Sequence, residues 1–250
     1  MIDHAELKAR VYFGLKTNSL TPIGWEQVIC HAMGATWVDG DKYLADGILE
    51  NHILNIKTRK KDPTDFKRKE NQDFLSDPAR YKPHYQEFTQ RRTNLPVTLD
   101  EQLNTPEEIG AATLQGFEDF VQESYDKFPG TNNVLDVIVR HGINRTHTHF
   151  LVDIDIFNHH FYNPTELEWC EVLGGNDSRQ RGKRIAIDGY KDGVHVVRRN
   201  GSNSGIEQTC YKIYKDLTTC DINHTVSIPL PKKIEFNREE ILKEIENNSI

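Results

Sequence analysis

Apolar residues recur at three- and four-residue spacing in some parts of the chain and at every second position in others, which separates helices from strands. Asp3 is placed to cap a short helix through Ala5, Leu7, Ala9 and Val11. Thr21-Pro22 reads as an N-cap followed by Pro at the first helical position, opening a helix with Trp25, Glu26, Val28, Ile29 and Ala32 that Gly34 ends. Thr105-Pro106-Glu107-Glu108 is a capping-box start, and Ile109, Ala112, Leu114, Phe117, Phe120, Val121 and Tyr125 give that helix a broad apolar face as far as Pro129-Gly130. Strand character marks 36–38, 43–49, 52–59, 134–140, 149–157, 184–190, 194–199 and 209–214, and a last helical turn or two is expected over 238–246. From 60 to 96 the chain is charged, aromatic and poor in aliphatics, with Pro63, Pro78 and Pro83, so irregular structure with short helices is expected there. The pattern predicts an α/β domain, 1–250, with a central mixed β-sheet flanked by helices.

Composition narrows the class. Hydrophobic residues make up 36% of 250, and 31 Lys+Arg stand against 38 Asp+Glu, giving a net charge of −7, so the core is modest and the surface very polar. No apolar run approaches the ~18 residues of a membrane span, and the charged MIDHAELKAR start does not suit a signal peptide. A soluble, cytoplasmic protein without a membrane partner is the expectation. Cys30, Cys170, Cys210 and Cys220 form no C-x-x-C pair and are expected to be reduced thiols.

The segment ADGILENHILNIKTR holds the most informative chemistry. If Glu50-Asn51 is a two-residue hairpin turn, Leu49 faces His52, Ile48 faces Ile53 and Asp46 faces Asn55. Asp46 and Asn55 then share a face with their side-chain bases roughly 5 Å apart, and alternation adds Lys57 to that face. A carboxylate, an amide oxygen and an ammonium at one end of a ribbon suit phosphodiester hydrolysis assisted by a hard divalent cation such as Mg²⁺.

Here the chain resembles the PD-(D/E)XK nuclease superfamily, type II restriction endonucleases in particular. Ala45-Asp46 matches the first acidic position, Asn55-Ile56-Lys57 the (D/E)XK tripeptide, and Glu26 the extra acidic residue that many members carry on the preceding helix. The resemblance implies a restriction-endonuclease-like core over about 21–160, with DNA-recognition elaborations near 60–96 and 175–215. It implies Mg²⁺ held by Asp46, Asn55 and the Ile56 carbonyl, Lys57 positioning the water, and Glu26 assisting. It further implies cleavage of double-stranded DNA at a short sequence by a homodimer, encoded by a prokaryote or phage. Asn55 departs from the pattern, an amide where a carboxylate is expected. Either Glu26 or Glu50 supplies the missing charge in a natural variant, or position 55 is an inactivating replacement of Asp.

A nucleic-acid partner of an acidic protein must meet local basic patches. Lys57, Arg59, Lys60, Lys61, Lys67, Arg68 and Lys69 begin at the candidate site, Arg91-Arg92 follow Tyr81, Tyr85 and Phe88, and Arg179, Arg181, Arg184, Arg198, Arg199 and Asn203 flank the later strands. Lys60, Lys61, Arg68, Arg91, Arg92 and this third set are the candidate DNA contacts, Lys suited to phosphates and Arg or Asn to base edges. His147 and His149 with Asp153 and Asp155 would share one strand face that could suit Zn²⁺ or Mn²⁺, but alternation with Val152, Ile154 and Ile156 reads more simply as a half-exposed strand. His141 and His195 read as structural or DNA-facing, and Trp25, Phe117 and Phe120 as core. A repair or junction-resolving nuclease on the same core, or an inactive DNA-binding protein, are the alternatives.

Overall fold

The structure is a computed structural model, and it describes residues 2–39, 44–60, 84–88, 104–144, 147–175, 181–200, 208–213 and 222–231. Helix α1 spans His4–Thr17 and α2 Pro22–Met33. Their caps are the expected ones: the Asp3 carboxylate accepts from the Ala5 and Glu6 N–H groups, Thr21 accepts from Gly24, and Gly34 takes the left-handed conformation at φ 70°. Strands β1 (Thr36–Trp37), β2 (Gly47–Leu49) and β3 (His52–Lys60) follow as an antiparallel meander. Next comes β4 (His84–Phe88), a strand in a segment expected to be irregular. Helix α3 (Pro106–Lys127) starts at the Thr105–Glu108 capping box and leads to β5 (Asn133–Ile143) and β6 (His149–Asn158). Then come β7 (Glu168–Leu173), β8 (Arg184–Lys191), β9 (Val194–Asn200), β10 (Gln208–Ile213) and β11 (Ile222–Pro229). The expected helix over 238–246 lies outside the described residues.

The fold is α/β, and its strands form two sheets where one was expected. The first is a six-stranded mixed sheet in the order β1-β2-β3-β5-β6-β11, with β3 and β5 parallel and α3 in the crossover between them. The second is antiparallel, β4-β10-β9-β8-β7. Strands β7 and β11 lie outside the predicted runs. Each is an edge strand, and among the described side chains Trp169 is buried in β7 and Val226 and Ile228 in β11.

One face of the mixed sheet, with Leu54, Ile56, Val137, Val139, Val152, Ile154 and Ile156, packs under α1 and α2 around the buried Trp25. On the other side α3 covers Ile53 and Val134 and continues into the second sheet through Trp169, Ile187 and Val197. Gly110 of α3 and Gly189 of β8 sit against the Trp169 indole, whose Nε1 donates to the Pro164 carbonyl at 3.0 Å. Among the described residues no helix is long and apolar enough to cross a membrane. Cys30 and Cys170 are free thiols, and the side chains of Cys210 and Cys220 lie outside those described.

Two measurements check this packing. Gly→Ala in a helix ordinarily gains about 1 kcal/mol, but a Cβ on Gly110 would come within 2.3 Å of the Trp169 indole. Gly110→Ala is therefore expected to lose about 1–3 kcal/mol in a denaturant melt. His141 stacks on Trp25 at 4.6 Å, and burial, then Lys60, push its pKa down to about 4 from 6.5. Below pH 6.5 the unfolded chain binds that proton while the folded one resists it down to about 4, so stability falls with pH across that window. Melts of His141→Phe at pH 7 and 4.5 should show on the order of 2 kcal/mol less pH dependence.

Candidate functional site

The β2–β3 hairpin has the expected register, Leu49 opposite His52 and Ile48 opposite Ile53, and Glu50 adopts φ 53° in its turn. Its tip is tied to the start of β5: the Asn51 carbonyl accepts from the Asn132 and Asn133 N–H groups at 3.0 and 3.3 Å. At the other end Asp46 N–H still donates to the Leu54 carbonyl at 2.9 Å, but the strand pairing stops at Gly47 and the carboxylate turns back across β3. Asp46 Oδ2 accepts from the Ile56 N–H at 2.6 Å and lies 3.6 Å from Lys57 Nζ. Burial raises the Asp46 pKa, with the Lys57 charge and the Ile56 hydrogen bond acting against it. Lys57 keeps 35% of its side chain exposed, so the ammonium reaches solvent while leaning on Asp46.

Asn55 behaves otherwise than the sequence suggests. Its carboxamide is fully buried and directed along the sheet, Nδ2 donating to Asp136 Oδ1 at 2.7 Å. The parallel register places these two residues side by side on β3 and β5. Asp136 Oδ2 in turn pairs with His159 Nδ1 at 2.7 Å. Asn55 Oδ1 is buried with no hydrogen-bond partner among the described residues. Asp136 and His159 are thus neighbours of the candidate site that sequence reasoning missed. The available signal was Asp136 and Arg140, polar positions alternating with apolar ones on the α3 side of a strand rich in Val and Ile.

That polar face continues across the sheet. Arg140 is 1% exposed and ion-paired to both Asp153 (2.8 Å) and Asp155, with Thr225 Oγ1 donating to Asp153 at 2.8 Å. Asp153 and Asp155, expected on a half-exposed strand, are fully buried and hold this arginine. Among the described residues they form no metal-binding group with His147 or His149, and His149 Nδ1 contacts the Thr148 hydroxyl. Glu26 lies on α2, and its charge and that of Asp46 both bear on Cys30, whose thiol burial pushes up to about 12 and whose Sγ is 3.6 Å from the Asp46 carbonyl. Glu50 sits in the hairpin turn, at the opposite end of the hairpin from Asp46.

The basic candidates divide. Lys60 and Arg181 are exposed. Arg184 is largely buried, pairing with Glu171 and donating to the Asn104 carbonyl at 2.8 Å. Arg198 is clamped by Asp188 through two hydrogen bonds of 2.6 Å, and His195 stands 3.0 Å from the same carboxylate. Burial works against ionisation of Asp188, yet Arg198 and His195 together bring its pKa down to about 2. Arg199 is buried on β9, donating to Thr113 Oγ1 at 3.3 Å, where a surface loop contact was expected. Lys61, Arg68, Arg91, Arg92, Arg179 and Asn203 lie outside the described residues.

Among the described residues, no three His, Cys, Asp or Glu side chains converge as a metal-binding group. No protein-family model, curated protein or solved structure matches the chain. The division of the arginines is open to test. Arg199→Met should lower the melting temperature by the equivalent of about 1–3 kcal/mol through the unmade bond and lost packing. Arg181→Met should leave it within about 0.5 kcal/mol.

Proposed function

We propose that the protein is a divalent-cation-dependent endonuclease acting on double-stranded DNA, with the site arrangement of the PD-(D/E)XK nucleases and a type II restriction endonuclease as the specific case. The observation that carries this is the end of the β2–β3 hairpin, where Asp46 receives the Ile56 N–H and stands 3.6 Å from a half-exposed Lys57. Support comes from the element order, in which the Glu26-bearing helix precedes an antiparallel meander whose last strand carries Asn55-Ile56-Lys57, with a helix following.

The donor chemistry fits a hard cation. Asp46 and Asn55 offer oxygen ligands, and Asn55 Oδ1 is a buried acceptor with no partner among the described residues. Asp46, Asn55 and the Ile56 carbonyl would hold Mg²⁺, which when bound supplies positive charge against the scissile phosphate. Lys57 does the rest of the electrostatic work: its ammonium is anchored by Asp46 on one side and open to solvent on the other, placed to orient an attacking water and to stabilise charge on the phosphate oxygens. In the net reaction the water oxygen bonds to phosphorus and one bridging P–O bond breaks, leaving a phosphate monoester and a hydroxyl. Of the candidate DNA contacts, Lys60 and Arg181 are exposed and available for phosphates. A two-fold homodimer would match the symmetry of a palindromic site.

The test is digestion of plasmid and phage DNA with Mg²⁺ or Mn²⁺, comparing the native protein with Lys57→Ala. Discrete fragments from the native protein and at least about a hundredfold slower cleavage by a folded Lys57→Ala are expected. Binding of DNA without cleavage by either would favour the inactive DNA-binding protein. Cleavage confined to branched DNA would favour the junction-resolving nuclease.

A further inference from the structure

A carboxylate can only accept hydrogen bonds, so whatever faces Asp136 Oδ1 at 2.7 Å must donate. Asn55 does so through Nδ2. An aspartate at position 55 would instead bring two buried carboxylates together on adjacent strands, an arrangement that like-charge repulsion opposes. Asp136 is held from its other oxygen by His159, whose ring packs between Phe117 and Phe161 at centroid distances of 5.0 and 4.7 Å, so the acceptor cannot easily swing away.

The bond also orients the rest of the amide. In the sheet, β3 lies between β2 and β5. With Nδ2 committed to Asp136 on β5, the planar amide turns Oδ1 away from that strand, and the Asp46–Lys57 pair belongs to the β2 side of β3. A carboxylate accepting from the NH₂ group also draws electron density onto the amide oxygen. The result is a fully buried, polarised oxygen that has no hydrogen-bond donor among the described residues.

Resting on the endonuclease reading, we propose that Asp136, braced by His159, is the positioning residue of this site: it holds Asn55 Oδ1 as the neutral oxygen ligand beside Asp46. The amide at position 55 is then the working residue, and the negative charge expected there stands one strand over, on β5. Neither Glu26 nor Glu50 is needed to supply it.

The test titrates Mg²⁺ calorimetrically, without DNA, into the native protein, Asn55→Asp, Asp136→Asn and the exchange Asn55→Asp/Asp136→Asn, each also melted in chelator. Asp136→Asn should weaken Mg²⁺ binding by about 10–100-fold, as loss of an outer-shell partner does. The exchange variant, with donor and acceptor swapped, should restore affinity and melting temperature, which a merely structural role for Asp136 would not require. Asn55→Asp alone should melt below the native protein without metal. Unchanged Mg²⁺ affinity in Asp136→Asn, with cleavage still dependent on Lys57, would overturn this proposal and leave the endonuclease reading standing. So would an Asn55→Asp protein that melts as the native one does and gains cleavage the native one lacks. Absence of both Mg²⁺ binding and cleavage in the native protein would overturn the endonuclease reading, and this proposal with it.

Discussion

The parallel pairing of β3 with β5 is the constraint on which the rest depends. Parallel neighbours cannot be joined by a tight turn, so the chain must leave β3 at one end of the sheet and re-enter β5 at the other. Helix α3 lies in that crossover, covers Ile53 and Val134, and gives the second sheet a surface on which to pack. The same register, running from His52↔Asn133 to Lys60↔His141, decides which side chains become neighbours across the two strands. Slipping it by one residue would turn the polar row of β5 into the apolar core beneath α1 and α2.

That core and the polar face make opposite demands. The α1/α2 side is filled with aliphatic residues and Trp25, as a stable sheet requires. The other side buries Asn55, Asp136, Arg140, Asp153 and Asp155, groups whose desolvation is costly unless each is partnered. Arg140 between two aspartates, and Asp136 between an amide and an imidazole, show how that cost is met. Asn55 Oδ1 is one of the buried polar atoms that find no hydrogen-bond partner among the described residues, a local departure of the kind expected at a candidate site.

How much could be read from the chain depended on range. Thr21-Pro22, Gly34 and the Thr105–Glu108 box were legible because capping chemistry is local, and the hairpin register followed from a two-residue turn and strict alternation. Asp46 and Lys57 could therefore be brought together on paper. Asp136 could not, because it reaches Asn55 through a pairing of strands 81 residues apart in sequence. Arg184 and Arg199 misled for a related reason: a run of cations reads as surface, and only the docking of β8 and β9 beside α3 turns those two inward. The strand at His84–Phe88 is another product of long-range pairing, with β10, in a segment whose own composition argued against it.

The separation of Asn55 from Asp136 also sets an order of events during synthesis. Asp46, Asn55 and Lys57 leave the ribosome together, and their hairpin can close within microseconds. Their neighbour on β5 emerges some eighty residues later, after the whole of α3, and closing so long a loop is intrinsically slow. Until then the nascent chain has the ammonium and the first carboxylate but not the strand that fixes the amide between them. A protein built this way acquires its complete site only when its central sheet is complete, so an unfinished chain carries the parts without their arrangement.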